Sequence, residues 1–550
     1  MTRPDPRYDL LRFGLAQDLA QTTTGRLAAG LRRDAAQTLA ALGWWASGKR
    51  LRGRMRLRAL IGDRVKWRGD GPVLVAPGPR GDAPPDWPLR DGLAIEASGD
   101  ILLVAAPVCR WPADAAARLT DFFAARPQCA AAVPDAVAFG LPGVGDVPVL
   151  SPAFDVDHWL ALAPAAPALA IRRAAFDALG GLDASLPGAE FADLLLRLAG
   201  RDGEAAITTI DSVVVGWDAR GADSALDETA TLALLAARLE LARRHAGPDA
   251  DVALDAAGAA RMTRRPKRWP AVTVIIPTRD RLDLLRRAVD GVLSATDYDD
   301  LELIVVDNAS AEPATADYLA RLRDDPRARV LRDEAPFNFS RLNNVAARLA
   351  RGDVLLFLNN DVEVTSPRWL RAMAAEALRA DVGAVGAKLL YPSGLVQHAG
   401  VVTALDGFAG HAHQFYPGDH RGYLHQIATR RRVHAVTAAC MAVEKRKFDA
   451  VGGFDEAAFA VALNDVDLCF RLDERGWRSL YLPDACLVHH ESATRANDRA
   501  RAESARWKAE KAALAARWPQ RMARDPFYPP ALGRRMADYA LPRVRRDKQS

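Results

Sequence analysis

The chain has 550 residues, of which 49% are hydrophobic and 26% are charged. This balance is typical of folded globular proteins and excludes an intrinsically disordered chain, and the length predicts roughly two to four domains. The formal net charge of +5 is small for this length and gives no indication of nucleic-acid binding.

The cysteines and the apolar runs give information on the cellular compartment of the protein. Five cysteines are scattered without the CxxC spacing of a zinc site, which favours a reducing environment. No apolar run approaches the roughly 18 residues of a membrane-spanning helix, and the first ten residues are too polar for a secretory signal. We therefore expect a soluble cytoplasmic protein.

Leucines and alanines at helical spacing predict a mostly helical N-terminal extension over residues 1–69. Within it, the basic run Lys49–Arg58 follows Trp44 and Trp45. Basic residues beside tryptophans suit an anionic lipid surface, so peripheral contact with the inner face of the cell membrane is one interpretation. A solvated basic face or linker is the other.

Residues 70–245 mix helical patches with short apolar strands, and they end in a helix predicted at Asp227–Arg244. The predicted strands are Val73–Ala76, Ile101–Ala105 and Ile207–Val215. Residues 246–270 are rich in alanine, aspartate, proline and arginine, and we predict a linker there.

We predict a further domain over residues 271–500, and strands and helices alternate regularly in its first part, from Val272 to Leu358. The predicted strands are Val272–Ile276, Leu303–Val306, Ala328–Leu331 and Val354–Leu358. The predicted helices between them are Arg281–Ser294, Ala314–Arg323 and Ser340–Ala350. This alternation predicts a mostly parallel sheet with right-handed crossovers. Residues 501–550 are predicted to form a helical C-terminal extension.

The sequence resembles itself at two places in the same order. SGDILLVAAPV (98–108) parallels RGDVLLFLNNDV (351–362), and IRRAAFDALGG (171–181) parallels VEKRKFDAVGG (443–453). The second match continues, since Asp193 and Arg197 correspond to Asp467 and Arg471. Two ordered matches indicate a tandem duplication of one domain.

The two copies differ at their polar positions. Where the second copy has Asn359-Asn360-Asp361, Asn464-Asp465 and His489-His490, the first has Ala106-Pro107-Val108, Glu190-Phe191 and Gly216-Trp217. Val108, Phe191 and Gly216 thus take the places of Asp361, Asp465 and His489. We predict that the second copy carries the chemistry and that the first is structural.

The predicted strand Val354–Leu358 runs directly into Asn359, Asn360 and Asp361. Ligands of open α/β sheets bind at the carboxyl ends of strands, and a divalent cation held by a carboxylate and substrate phosphates suits such a place. A strand that ends in a polar turn is the alternative.

Two earlier strands also end in polar residues. The first runs into Pro277-Thr278-Arg279-Asp280, and the next ends in Asp307-Asn308. A carboxylate there can accept the imide N–H of a pyrimidine base, and uracil and thymine present the same imide. For Asp307, a role as a turn or helix-cap residue is the alternative.

A helix predicted at Asn464–Glu474 places Asp465 near its positive end, where the dipole favours a negative charge and a carboxylate can act as a base. We interpret Asn464 as a simple N-cap. Asp467 recurs in the first copy as Asp193, so we predict that its role is structural.

His489 and His490 follow a strand predicted at Ala485–Val488, and imidazole at a strand end is a candidate metal ligand. Other histidines crowd a glycine-containing stretch between two strands. They are His398, His411, His413, His420, His425 and His434. Because no cysteine or carboxylate completes a zinc ligand set, we expect loop histidines that line a pocket.

Together these motifs resemble family 2 glycosyltransferases of the GT-A fold, and in particular their O-antigen and rhamnosyltransferase-like members. The motifs are IIPTRDR, VVDNAS, PFNFSRLNN, RGDVLLFLNNDVEV, VGAVGAKLLYPSGLVQHAGVV, TAACMAV, GGFDE, NDVDLCFRL and LVHHES. The resemblance covers residues 272–530. The first copy is similar to the N-terminal domain of tandem members, so we expect two tandem GT-A domains, each a Rossmann-like α/β fold with a mostly parallel sheet.

The resemblance implies an inverting transfer of a sugar from a UDP- or dTDP-sugar to a glycan or lipid-linked glycan acceptor. Asp361 would hold Mg²⁺ or Mn²⁺, and His489 would complete the metal or diphosphate site. Asp465 would deprotonate the acceptor hydroxyl, with Asn360 near the ribose and Asp307 on the base. The other residues expected to bind the nucleotide sugar are Pro277, Thr278, Arg279, Asn308, Asn343 and Asn359. Asn359 departs from the family, because many members carry the first Asp of a DxD motif there.

Two other protein classes compete with this interpretation. A sugar nucleotidyltransferase would need a glycine-rich phosphate loop after the first strand, and residues 277–280 contain no glycine. A non-catalytic scaffold or glycan-binding protein fits the first copy, but the intact motifs of the second copy argue against it. A glycosyltransferase is therefore the favoured interpretation.

Overall fold

The computed structural model describes residues 94–539 apart from residues 99, 106–108, 113, 140–146, 164–166, 219–227, 257, 407 and 491–504. The extension predicted over residues 1–69, its basic run Lys49–Arg58 and the strand predicted at Val73–Ala76 lie outside these residues. No helix in the described ranges is both long enough and apolar enough to cross a membrane.

The first sheet has seven strands, in the order β1-β2-β6-β4-β7-β3 with β5 beside β4. The strands are β1 (Ala94–Ser98), β2 (Ile101–Ala105), β3 (Cys109–Arg110), β4 (Ala131–Phe139), β5 (Val147–Val149), β6 (Ala168–Arg172) and β7 (Ile207–Asp218). The helices of this half are α1 (Ala115–Ala124), α2 (Val156–Leu162), α3 (Arg173–Ala178), α4 (Glu190–Asp202) and α5 (Glu228–His245). Strands β4 and β7 are parallel, and the other described pairs are antiparallel.

Two hairpins stand apart from the large sheets. They are β8 (Ala250–Leu254) with β9 (Ala260–Arg264), and β17 (Val401–Leu405) with β18 (Phe408–His411).

The second sheet has ten strands, in the order β12-β11-β10-β13-β20-β15-β21-β14, with β16 beside β15 and β19 beside β21. The strands are β10 (Val272–Thr278), β11 (Leu301–Asp307), β12 (Ala328–Arg332), β13 (Val354–Leu358), β14 (Val362–Val364), β15 (Val382–Leu390), β16 (Val396–His398), β19 (Arg431–Val433), β20 (Cys440–Glu444) and β21 (Arg478–His489). The helices are α6 (Leu282–Ser294), α7 (Pro313–Leu322), α8 (Phe339–Leu349), α9 (Trp369–Ala377), α10 (Lys445–Ala450) and α11 (Asn464–Glu474). The C-terminal part adds α12 (Ala505–Arg517) and α13 (Pro519–Ala523).

Apolar runs make the centre of the second sheet. Every residue of β10, β11 and β13 is buried, because helices cover both faces of this parallel group. A glycine is required just before β13, since a Cβ on Gly352 would collide with the backbone of Thr273. The predicted α/β class is confirmed, and so is the parallel pairing of the strands between residues 272 and 358.

The first sheet repeats part of the second one in topology. The neighbours β2-β6-β4-β7 have the same order and directions as β13-β20-β15-β21. The register is also the same, because Ile101 pairs with Arg172 as Val354 pairs with Glu444. On the other side of β2 lies the antiparallel β1, where the second sheet has the parallel β10. The repeated part is therefore the half of the sheet that begins at β13.

The register corrects one detail of the repeat. His489 pairs with Val362, and the residue that pairs with Cys109, the counterpart of Val362, is Trp217. Trp217 rather than Gly216 therefore stands in the place of His489. The shift arises between α4 and β7, because the first copy has two more residues from Asp193 to Ile207 than the second copy has from Asp467 to the equivalent Ser479.

The segment predicted as a linker, residues 246–270, contains the packed hairpin β8–β9. Met262 of β9 is buried in the core of the first sheet, and its carbonyl accepts a hydrogen bond from Arg430 of the second half. The segment is thus a packed connector. The other predicted boundaries, at residues 69, 245, 270 and 500, stay predictions.

Buried charges join the two halves of the chain. Asp157 of α2 forms a bidentate ion pair with Arg379, with N–O distances of 2.6 and 3.1 Å. Glu376 of α9 binds Arg379, Arg430 and Arg264 and is only 2% exposed. Burial by itself would raise the pKa of Asp157, but the Arg379 guanidinium outweighs it and holds the pKa below the usual range.

We expect the substitution Asp157→Asn to lower the free energy of unfolding by about 3 kcal/mol, because it leaves the buried Arg379 without a charged partner on α2. Thermal and urea unfolding of the full chain measure this change. Asp202→Asn is the matched control, since Asp202 pairs with Arg201 at the surface and should leave the midpoint almost unchanged. Equal shifts for the two variants would contradict a stabilising role of the interface.

Candidate active site

A cavity of about 570 Å³ opens where β10, β13, β21 and the start of α11 meet. Most of the predicted site residues line it: Pro277, Thr278, Arg279, Asn359, Asn360, Asp361, Asp465 and His489. Parallel pairing of β10 with β13 brings their carboxyl ends to the same edge, and a hydrogen bond of 3.0 Å from Asn360 Nδ2 to Thr278 Oγ1 joins the two ends.

The structure brings His489 to Asp361. Strand β21 pairs with β14 so that His489 lies opposite Val362, and His489 Nε2 is 2.9 Å from Asp361 Oδ1. The neighbouring His490 lies instead 2.7 Å from Glu363 and contacts Arg287. Successive side chains of a strand point to opposite faces, so one of the two histidines faces the cavity.

The pair Asp361–His489 fits a divalent cation. His489 Nδ1 lies 2.6 Å from Gln397 Oε1, which accepts its N–H, so a neutral His489 carries its lone pair on Nε2 whereas a protonated one donates the Nε2–H to Asp361. Asn359 Nδ2, a donor 3.4 Å from Nε2, agrees with this tautomer. A lone pair and a carboxylate oxygen that face each other favour a positive charge between them. Among the described residues no group of three or more His, Cys, Asp or Glu side chains is placed to hold a metal, so further ligands would come from substrate.

Asp465 lies in the first turn of α11 and lines the cavity. Its two oxygens accept hydrogen bonds from the backbone N–H groups of Ala438, at 3.1 Å, and Val466, at 2.9 Å. These bonds fix the carboxylate while the side chain remains partly exposed. The arrangement suits a base that approaches a substrate hydroxyl.

The interpretation of Asn464 as an N-cap is wrong. The N-cap position belongs to Leu463, whose backbone is left-handed, with a φ of 60°, and no side chain caps this helix. Asn464 instead lies one residue inside the helix, buried, and lines the cavity. The sequence placed the helix start correctly, but the left-handed residue before it shifts the cap by one position.

Asp467 has the structural role predicted for it. It is fully buried and binds Arg471, Arg517 and the indole N–H of Trp518, at 2.8 to 3.0 Å. In the first copy, the equivalent Asp193 binds Arg197 and His245 in the same way. Both carboxylates therefore hold the helix against the chain around it.

Three predicted residues do not line the cavity. Asp307 ends β11 beside Thr278, but its oxygens bind Arg332, at 2.6 Å, and the N–H of Ser310, which is the alternative turn role. Asn308 donates to the carbonyl groups of Asp333 and Ala335. Asn343 is buried in α8 and donates to the carbonyl of Phe339. The last two hold the backbone around the site.

Several lining residues were not found from the sequence. They include Phe337, Gln397, Thr437, Ala438, Leu463 and Trp507. Of the histidines expected to line a pocket, His411 does so, whereas His398 and His413 are buried and burial lowers the pKa of both. Their positions depend on contacts between distant segments, which no local pattern records.

Residues 273–448 match the family described as glycosyl transferase family 2. An uncharacterized protein of Sinorhizobium fredii, y4gI, is 40% identical over 369 residues, which are 66% of this chain and 41% of that protein. The O-antigen biosynthesis protein RfbC of Myxococcus xanthus is 37% identical over 383 residues, 68% of this chain and 30% of that protein. The chain thus spans less than half the length of these two relatives.

A solved mannosyltransferase of Pyrobaculum calidifontis, in complex with GDP-Man and Mn²⁺, is 19% identical with a TM-score of 0.32 over 52% of this chain and 83% of that one. The family match covers β10 to α10, the part of the chain that contributes Asp361 and its neighbours to the cavity. The chain therefore carries a family 2 glycosyltransferase domain, which includes residues 273–448.

Proposed function

We propose that this chain is an inverting glycosyltransferase that moves a sugar from a UDP- or dTDP-sugar to a hydroxyl of a growing cell-surface glycan such as O-antigen, capsule or exopolysaccharide. The observation that carries the proposal is the meeting of Asp465 with the pair Asp361–His489 in one cavity. The family match and the likeness to an O-antigen biosynthesis protein support the same conclusion.

The chemistry assigns a task to each side of the cavity. A sugar hydroxyl is a poor nucleophile, and a positioned base such as Asp465 accelerates its attack by roughly 10²–10⁴-fold. When bound at Asp361 and His489, Mg²⁺ or Mn²⁺ would offset the negative charge of the departing nucleoside diphosphate. Inversion needs the base and the leaving group on opposite faces of the sugar, and Asp465 and Asp361 come from different elements, α11 and the end of β13.

The remaining polar groups support donor binding. Arg279 is an exposed cation at the cavity and attracts the diphosphate, and Thr278 with Asn360 forms the floor between the two strand ends. Asp307 would bind the pyrimidine base only if its carboxylate gave up the bond to Arg332 and accepted the imide N–H of the base instead.

The first copy is proposed to lack transferase activity. Val108 and Phe191 replace the two carboxylates, and Trp217 stands in the place of His489. Its buried ion pairs with the second half make it a support for the catalytic domain. The basic run Lys49–Arg58 lies outside the described residues. If it binds anionic lipid, the protein would encounter a lipid-linked acceptor at the membrane surface.

We expect Asp465→Asn to abolish sugar transfer, by at least about 100-fold in kcat, and to preserve donor affinity, because the amide cannot accept the hydroxyl proton. Nucleoside diphosphate release with acceptor measures transfer, and calorimetry measures donor binding. Glu474→Gln, at the exposed end of the same helix, should behave like the parent chain. If the turnover of Asp465→Asn lies within about tenfold of the parent value, either another residue is the base or the first copy is active.

We expect Asp361→Ala to remove the dependence of donor binding on Mg²⁺ or Mn²⁺, because Asn359 and Asn360 offer no carboxylate to replace it. Donor titrations with Mn²⁺ and with a chelator measure this. Glu363→Ala is the matched control, since this carboxylate faces His490 and lies outside the cavity. If a chelator leaves the donor affinity of the parent chain unchanged, the mechanism must be independent of metal.

A further inference from the structure

A carboxylate from the C-terminal part of the chain holds the loop that precedes the proposed base. Glu510 of α12 accepts hydrogen bonds from two consecutive backbone N–H groups, those of Val461 at 3.0 Å and Ala462 at 3.3 Å. The side chain is only 4% exposed. A buried carboxylate is costly unless its oxygens are bonded, so this contact fixes the helix and the loop together.

The loop forms one wall of the cavity. Val461, Ala462 and Leu463 all line it, and the chain passes from Leu463 into Asn464 and Asp465. Leu463 has a left-handed backbone, which is unfavourable for a residue with a Cβ and persists only when its surroundings hold it. Glu510 is bonded to the two residues immediately before it.

The first copy has the matching helix without the carboxylate. Helix α5 follows β7 as α12 follows β21, and its last residue, His245, binds Asp193 as Arg517 binds Asp467. At the place that corresponds to Glu510, α5 has Ala237 and Arg238. The carboxylate therefore occurs in the copy that has Asp465. The contact between the end of the helix and the buried aspartate, His245 with Asp193 and Arg517 with Asp467, occurs in both copies.

We infer that Glu510 is a positioning residue for sugar transfer: it holds the backbone of residues 461–463 so that Asp465 meets the acceptor hydroxyl. This inference rests on the proposed function. Glu510 does not act on the substrate itself, because its oxygens are bonded to the loop. Its loss should lower kcat and leave donor affinity unchanged, since the donor groups Thr278, Asn360 and Asp361 lie on other elements.

The variant Glu510→Gln tests the inference, because the amide keeps one acceptor and places an N–H₂ group against the second backbone N–H. We expect kcat for transfer to fall about 10- to 100-fold, since small misplacements of reacting groups have effects of this size. The KM for donor should stay the same. Amide hydrogen exchange at Val461 and Ala462 should become faster.

Leu514→Ala is the matched control. Leu514 lies one turn further along the same helix, fully buried in the core, so its truncation loosens helix packing without touching the loop bonds. We expect a lower thermal midpoint with kcat close to that of the parent. If Leu514→Ala and Glu510→Gln reduce kcat equally, the role of Glu510 is structural and the inference is overturned.

The outcomes separate the inference from the function on which it rests. A parent chain that transfers no sugar from any UDP- or dTDP-sugar overturns the proposed function. An active parent chain with a Glu510→Gln variant of equal kcat overturns only the positioning role. Faster exchange at Val461 and Ala462 together with lower kcat and unchanged donor KM supports it.

Discussion

The pairing of β13 with its two neighbours determines where the polar groups of the cavity lie. Because β13 is parallel to β10 and antiparallel to β20, the end of β13 meets the end of β10 and the start of β20 at one edge. The N–H of Asn359 donates to the carbonyl of Ala439, which joins the residues just before β20 to this edge. The N–H of Ala438 then binds Asp465, so the proposed base is attached to the same edge as the proposed metal ligands.

A second constraint comes from buried charge. Glu376, Asp157 and their arginine partners lie between the first sheet, the hairpin β8–β9 and the second sheet. Such pairs add little net stability over apolar contacts, but the loss of one partner leaves an uncompensated charge. The two halves therefore depend on each other, and a chain truncated near Arg264 would expose Arg379 and Arg430 without their partners on α2 and β9.

A comparison of the two copies distinguishes the residues that hold the backbone from the polar residues of the cavity. Both copies keep the glycine pair with positive φ, at Gly180-Gly181 and Gly452-Gly453, and the aspartate–arginine pair one turn apart on the following helix. The proposed base Asp465, the proposed metal ligands Asp361 and His489, and the loop carboxylate Glu510 occur in the second copy alone. A shared framework can lose these groups because they contribute to the cavity, whereas the framework groups hold the backbone itself.

The sequence by itself determined the features that local patterns encode. Continuous apolar runs fixed the buried strands β10, β11 and β13, the helix start fixed the place of Asp465, and the strand end fixed the place of Asp361. The internal repeat showed which polar residues of the second copy have no polar counterpart in the first copy. These features depend on neighbours in the chain, so they can be predicted without the fold.

Only the tertiary structure decided the contacts between distant segments. The register of β21 on β14 placed His489 rather than His490 at Asp361, and a longer connection between α4 and β7 made Trp217 its counterpart. Packing placed Gln397 on His489 and Arg332 on Asp307. Side chains that meet across long stretches of chain leave no period or motif in the sequence, because their meeting depends on how the strands and helices pack.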